Sequence, residues 1–346
     1  MNPLPPHQYI QRETARVQTE PLFSDRLVNA LYSDPRERGS HLFRALTSAR
    51  MSSLLGFLTY DSLLGSKLSG IGNFSQRLGI RLSECVDSPE DLNTPRKIFE
   101  RKIRYWDCRP MDEDPAVVVS PADAKMLVGS FSNTSRIFLK EKFFSFQDLL
   151  GKGKTRWLEA FSDGDFAIFR LTPDKYHYNH LPVSGEVADI YDIPGTYYPC
   201  NPGAVMALPT PYSKNRRVVT VIDTNVPGGS GIGWVAMIEV VALMIGDIVQ
   251  CYSEQGYDDP KSVAPGMFVK KGRPKSLYRP GSSTDVLVFE KGRVEFSVDI
   301  VMNMFRPGVR TRFSEGFGRP LVETEVALRS EIGRKRSRCI GENRDE

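Results

Sequence analysis

Histidine is scarce in this chain, with four copies in 346 residues, so imidazole chemistry near neutral pH can come from very few positions. Cysteine is nearly as sparse. The five, Cys85, Cys108, Cys200, Cys251 and Cys339, are odd in number, far apart and never spaced CxxC, which argues against a disulfide framework or a zinc knuckle and for a reducing compartment. No long apolar run is present. The longest candidate, Trp234 to Gln250, is interrupted by Glu239 and Asp247 and falls about three residues short of a membrane span, so it reads as buried strand. The first twenty residues hold Pro3, Pro5, Pro6, Arg12, Glu13 and Arg16 without the apolar core of a secretory signal, and a cytoplasmic location is expected. Charge is nearly balanced as well: 46 basic against 42 acidic residues leaves +4, too little to argue for nucleic acid. What remains, 40% apolar and 25% charged residues, suits a globular chain of about two domains.

Two textures follow one another along that chain. After a flexible N-terminus over 1–21, the region 22–110 reads as helical: Ser24 or Asp25 can cap a turn carrying Leu27, Val28 and Leu31, and Leu42, Phe43, Leu46 and Leu54 fall near a 3.6 period. Ser88 before Pro89 and Thr94 before Pro95 look like N-caps with proline at the first helical position. Past Pro115 the pattern changes to short β-branched and aromatic runs bounded by turn residues: Val117–Val119, Ile137–Leu139, Phe166–Phe169, Val218–Ile222, Val235–Ile245 and Val286–Phe289. They are too closely spaced for regular crossover helices. The expected fold class is therefore α+β, a helical N-terminal region packed on a mostly antiparallel β-rich domain over 111–320. Residues 321–346 read as a basic, solvated and disordered tail.

Two of the four histidines sit in Tyr176-His177-Tyr178-Asn179-His180, a spacing open to a metal half-site, to histidines satisfied by backbone, or to general acid–base work. No further ligand lies at a recognisable spacing, so no metal is expected. Pro227-Gly228-Gly229-Ser230-Gly231-Ile232-Gly233 fails as a phosphate-binding fingerprint, because Trp234 stands where the last glycine belongs and strand follows instead of helix. It reads as a hairpin loop. Arg279-Pro280-Gly281-Ser282-Ser283-Thr284 is a Pro-Gly turn with three hydroxyls leading straight into a strand.

Taken together, these pieces resemble the phosphatidylserine decarboxylase family over roughly two thirds of the chain. The likeness runs through Ser120-Pro121-Ala122-Asp123, Tyr176-His177-x-x-His180-x-Pro182-x-x-Gly185, Pro194-Gly195-x-Tyr197-Tyr198-x-x-Asn201-Pro202 and Asn215-Arg216-Arg217. It continues through Val235 to Val240, Gly246-x-Ile248, Lys271-Gly272 and Ser283-Thr284-x-x-Leu287-x-Phe289. The resemblance implies a self-processing enzyme that converts Ser283 into a pyruvoyl cofactor, leaving fragments 1–282 and 283–346 associated, and decarboxylates an amine substrate through a Schiff base. It implies His180 as the base for cleavage, Asp123 as its orienter, and His177 as the acid that protonates the carbanion. Ser282 stands where the family has glycine, which keeps Ser282 as an alternative processing serine. Tyr178 replaces an arginine, and Asp247 replaces a serine near the site. These two suggest contacts to a small amino acid or related carboxylate instead of a phospholipid. The alternatives are phosphatidylserine itself, met through peripheral membrane contact by the helices of 22–58, and a non-catalytic binding protein. Self-association into a homodimer stays open.

Overall fold

The computed structural model describes residues 5–22, 79–139, 142–208, 210–242, 247–280 and 283–337. Within them the chain forms strands β1 (Gln8–Gln11), β2 (Arg16–Thr19), β3 (Val117–Val119), β4 (Ala124–Ser130), β5 (Asp165–Leu171), β6 (Tyr178–His180), β7 (Gly185–Ile193) and β8 (Arg217–Asp223). They are followed by β9 (Trp234–Val241), β10 (Ile248–Gln250), β11 (Phe268–Val269), β12 (Pro274–Tyr278), β13 (Ser283–Phe289), β14 (Val294–Phe296), β15 (Glu323–Val326) and β16 (Glu331–Lys335). Ten make one sheet in the order β11-β7-β8-β9-β13-β5-β4-β15-β1-β2. All its neighbours are antiparallel except β1 and β15. Two three-stranded sheets, β10-β12-β6 and β14-β16-β3, complete the β structure.

The composition of each strand follows from its place. β13 lies between β9 and β5, is buried along its whole length, and accordingly reads as a nearly continuous apolar run from Val286 to Phe289. Towards the sheet margin β7 alternates buried and accessible positions over its first residues. The loop 227–233 joins antiparallel β8 to β9, the hairpin that its glycines suggest. Thr94 caps the short helix Pro95–Phe99 by accepting from Lys97 N–H, with Pro95 in the first turn.

Several expectations change. Residues 8–11 and 16–19, read as flexible, are paired strands at one margin of the large sheet. They are anchored from inside: the buried Arg170 guanidinium bonds to both Glu20 and Glu323, and His7 Nε2 lies 2.7 Å from Glu323. The supposed tail contributes β15 and β16, so the β domain reaches beyond 320 on one side and back to residue 8 on the other. Ile137–Leu139 forms no strand beyond an isolated bridge between Ser130 and Phe138. Ser88 and Pro89 open only a turn, in which Ser88 Oγ bonds to Asp91. The amphipathic helices expected over 22–58, and most of the expected helical region, lie outside the described residues.

Candidate active site

The registers bring the chemistry to one end of the large sheet. β13 begins at Ser283 opposite Leu171, where β5 ends, and opposite Val241, where β9 ends. β4 begins at the same end, with Lys125 opposite Arg170. Asp123 immediately precedes β4, and the segment leading to His177 and His180 immediately follows β5. The small sheet β10-β12-β6 is built from the stretches that leave or enter this end, so it caps the place where Ser283 stands.

Ser283 is fully buried, and its hydroxyl has no hydrogen-bond partner among the described residues. Its flank is fixed: Thr284 Oγ1 donates to Cys200 Sγ at 3.1 Å, and the Tyr278 hydroxyl reaches Thr284 O at 3.1 Å. An unsatisfied buried hydroxyl costs on the order of 1–3 kcal/mol. The Thr220, Ser297 and Thr324 hydroxyls share that state, and Ser283 differs from them in standing at the head of β13, at the sheet end where the histidine segment arrives. A small group formed at this head of strand fits the cradle. Ser282 lies outside the described residues.

His177 carries the same signature. It is fully buried and stacks on Phe99 at 3.6 Å, and apart from a weak hydrogen bond to the Lys175 backbone its ring nitrogens meet no partner among the described residues. Burial, reinforced by the nearby Arg101 cation, pushes its pKa down to about 3. His180 is equally buried but fully engaged. Its Nδ1 lies 2.9 Å from Gly272 O and its Nε2 lies 3.0 Å from the Tyr176 hydroxyl, while Tyr105 packs edge-on against the ring. Gly272 adopts φ +71°, a left-handed conformation that favours glycine where this carbonyl is presented. Burial lowers the His180 pKa to about 3 against the opposing pull of the Gly272 carbonyl. Both imidazoles are therefore neutral at pH 7, the state a base needs.

Asp123 does not form the expected pair with His180. Its carboxylate accepts from Arg109 Nε and Nη2 at 2.9 and 2.8 Å and from Leu328 N–H at 2.7 Å. Burial opposes its ionisation, but the bidentate guanidinium outweighs that and holds its pKa below the usual carboxylate range. The link to the histidine is through backbone: His180 N–H donates to Pro121 O at 2.8 Å. Tyr178 is buried and stacks on Tyr176 at 5.4 Å. Asp247 is exposed, bonds to Ile248 N–H at 3.0 Å and lies 3.5 Å from Arg216 Nη1, so a cation already answers its charge.

Other residues escaped the sequence reading. Asp285 shares the Ser283 face of β13, opposite Glu239. Burial and the Glu239 charge raise its pKa well above normal. Glu239 is itself buried, paired with Lys275 at 2.6 Å, and bonded to Asn179, Gln250 and Ser276. A carboxyl inside a strand buried on both faces was the visible signal for Asp285. Arg109 and Lys275 gave none, since their partners are remote in sequence.

The family described as phosphatidylserine decarboxylase matches residues 96–319. A phosphatidylserine decarboxylase proenzyme of Fusobacterium nucleatum is 30% identical over 303 residues, covering 86% of this chain and 91% of that protein. Proteins of the same name from Ruminiclostridium cellulolyticum and Clostridium tetani are 29% and 28% identical, covering 89% and 95% of this chain and 95% and 98% of their own lengths. With the match spanning more than half its length, the chain belongs to the phosphatidylserine decarboxylase family of pyruvoyl-dependent carboxy-lyase proenzymes.

Proposed function

We propose that this chain is made as a precursor that cuts itself before Ser283 and then decarboxylates the serine headgroup of phosphatidylserine. The observation that carries the cut is the buried, unpartnered Ser283 hydroxyl at the end of the sheet where the histidine pair arrives. The names of the relatives favour the phospholipid, and the small amino-acid substrate suggested by Tyr178 and Asp247 has the weaker support. No helix among the described residues is long and apolar enough to cross a membrane.

In the cut, Ser283 Oγ attacks the carbonyl carbon of the preceding residue and the amide becomes an ester. Elimination across Cα–Cβ then releases residues 1–282 as a carboxylate, and hydrolysis of the remaining dehydroalanine expels ammonia and leaves the pyruvoyl cap. His180, held neutral, takes the hydroxyl proton. Asp123 acts at one remove, by fixing Arg109 and the turn whose Pro121 carbonyl holds the His180 backbone. The pyruvoyl ketone supplies an electrophile for an amine and an electron sink as carbon dioxide leaves. His177, neutral in its buried setting, must gain a proton before it can return one to the substrate carbon. Burial and the Glu239 charge favour the protonated form of Asp285 on the same strand face. The fragments stay together because β13, which begins the second, is clamped between β5 and β9 of the first. Burying Val286, Leu287, Val288 and Phe289 contributes roughly 1.5–3 kcal/mol each.

The test is carbon dioxide release from vesicles containing phosphatidylserine, compared with free serine and free tryptophan. Release from the vesicles alone is expected. Release from a free amino acid, with none from the vesicles, overturns the lipid reading.

A further inference from the structure

Four hydrogen-bond contacts run in series from the buried imidazole of His180. Nδ1 meets Gly272 O at 2.9 Å, Nε2 meets the Tyr176 hydroxyl at 3.0 Å, that hydroxyl meets the Tyr257 hydroxyl at 2.7 Å, and Tyr257 meets Ile103 O at 2.8 Å. Each needs one proton between its two heavy atoms. A neutral imidazole brings one N–H and each phenol one O–H, so three protons serve four contacts. The missing proton can be absent at any contact involving a phenol. One added proton on His180 fills the series: Nδ1–H to Gly272 O, Nε2–H to Tyr176, Tyr176 to Tyr257, and Tyr257 to Ile103 O.

We propose that Tyr176 and Tyr257 are positioning residues that ready His180 to take up a proton by leaving this series one proton short. The proposal rests on the reading of His180 as the base for the cut. In net terms the O–H bond of Ser283 breaks, an N–H bond forms at His180 Nε2, and both phenols are neutral before and after. Tyr257 matters without touching His180. Without its hydroxyl, Tyr176 has nothing else in the series to donate to and turns its proton onto Nε2, which satisfies the neutral imidazole and removes its pull for another. Without the Tyr176 hydroxyl, a protonated Nε2 has no acceptor.

The experiment uses the full chain in two arms. In the Ser283→Ala background, which cannot cut, nitrogen-15 labelling of the four histidines reads the His180 ring directly. Tyr257→Phe is expected to shift the Nε2 resonance towards that of an acceptor in a hydrogen bond, and an unchanged resonance overturns the proposal. In the Ser283-intact chain, Tyr257→Phe and Tyr176→Phe are each expected to slow self-cleavage by about tenfold or more, the low side of general-base contributions. The double variant should be no slower than Tyr176→Phe alone. Additive losses signify packing and overturn the proposal. If the parent chain is never cut, the reading of the cut fails, while the resonance arm still decides the proposal.

Discussion

Replacing Asp123 by asparagine keeps the shape of the side chain and removes its charge from the two contacts to Arg109, at 2.9 and 2.8 Å. Breaking one side of a buried ion pair typically costs about 3–5 kcal/mol, because the remaining charge stays desolvated. Arg109 keeps a second partner, Glu84, at 3.0 Å, which places the expected loss at the lower end, about 3 kcal/mol. The assay is urea unfolding of the Ser283→Ala chain with and without the change, read from the midpoint at constant slope. The folded-state pKa of Asp123 lies below its ordinary value. Its contribution is therefore present at neutral pH and is lost as pH falls through that lowered pKa, so the two midpoints should converge in acid. Pairing Asp123→Leu with Arg109→Met removes both charges but leaves the Leu328 N–H without its acceptor and takes Arg109 from Glu84, so it should recover part of the stability. A midpoint unmoved by Asp123→Asn, or a double variant no more stable than Asp123→Asn, refutes the reasoning.

Acid should weaken the fold through the histidines as well. Their folded-state pKa values lie near 3 against an ordinary 6.5, so the unfolded chain binds more protons between those limits, and stability falls as pH drops from about 6.5 towards 3. The slope attributable to the pair is up to about 3 kcal/mol per pH unit, and His177→Gln should flatten it in urea midpoints taken at pH 7, 6 and 5. His180→Ala should mature slowly or not at all, whereas His177→Ala should be cut yet turn over poorly, both read by gel mobility and carbon dioxide release. The opposite pattern exchanges their roles. Native gel filtration of cut protein should keep both fragments in one peak, because separating them would tear β13 from two neighbours.

What could be seen in the sequence was local. The histidine spacing, the Thr94-Pro95 cap, the glycine hairpin and the serine at the head of an apolar strand each depend on a few consecutive residues. β1 and β2 escaped because four-residue strands as polar as Gln8-Tyr9-Ile10-Gln11 and Arg16-Val17-Gln18-Thr19 show no clear alternation, and β1 is held by β15, some three hundred residues away. β15 and β16 were hidden in the same way by the basic residues around them. The pairing of Asp123 with His180 came from the family resemblance, while in the fold Arg109, from the end of the helix Tyr105–Cys108, takes the Asp123 carboxylate. The phenol series behind His180 joins residues 103, 176, 180, 257 and 272, which only the fold assembles.

Intact mass of the purified full chain, before and after borohydride, is the most direct measurement of self-processing at Ser283. Two polypeptides are expected, 1–282 and 283–346, the smaller beginning with a carbonyl that borohydride reduces. A single chain of 38.9 kDa with an unmodified serine at 283 contradicts it, as does cleavage one residue earlier, before Ser282.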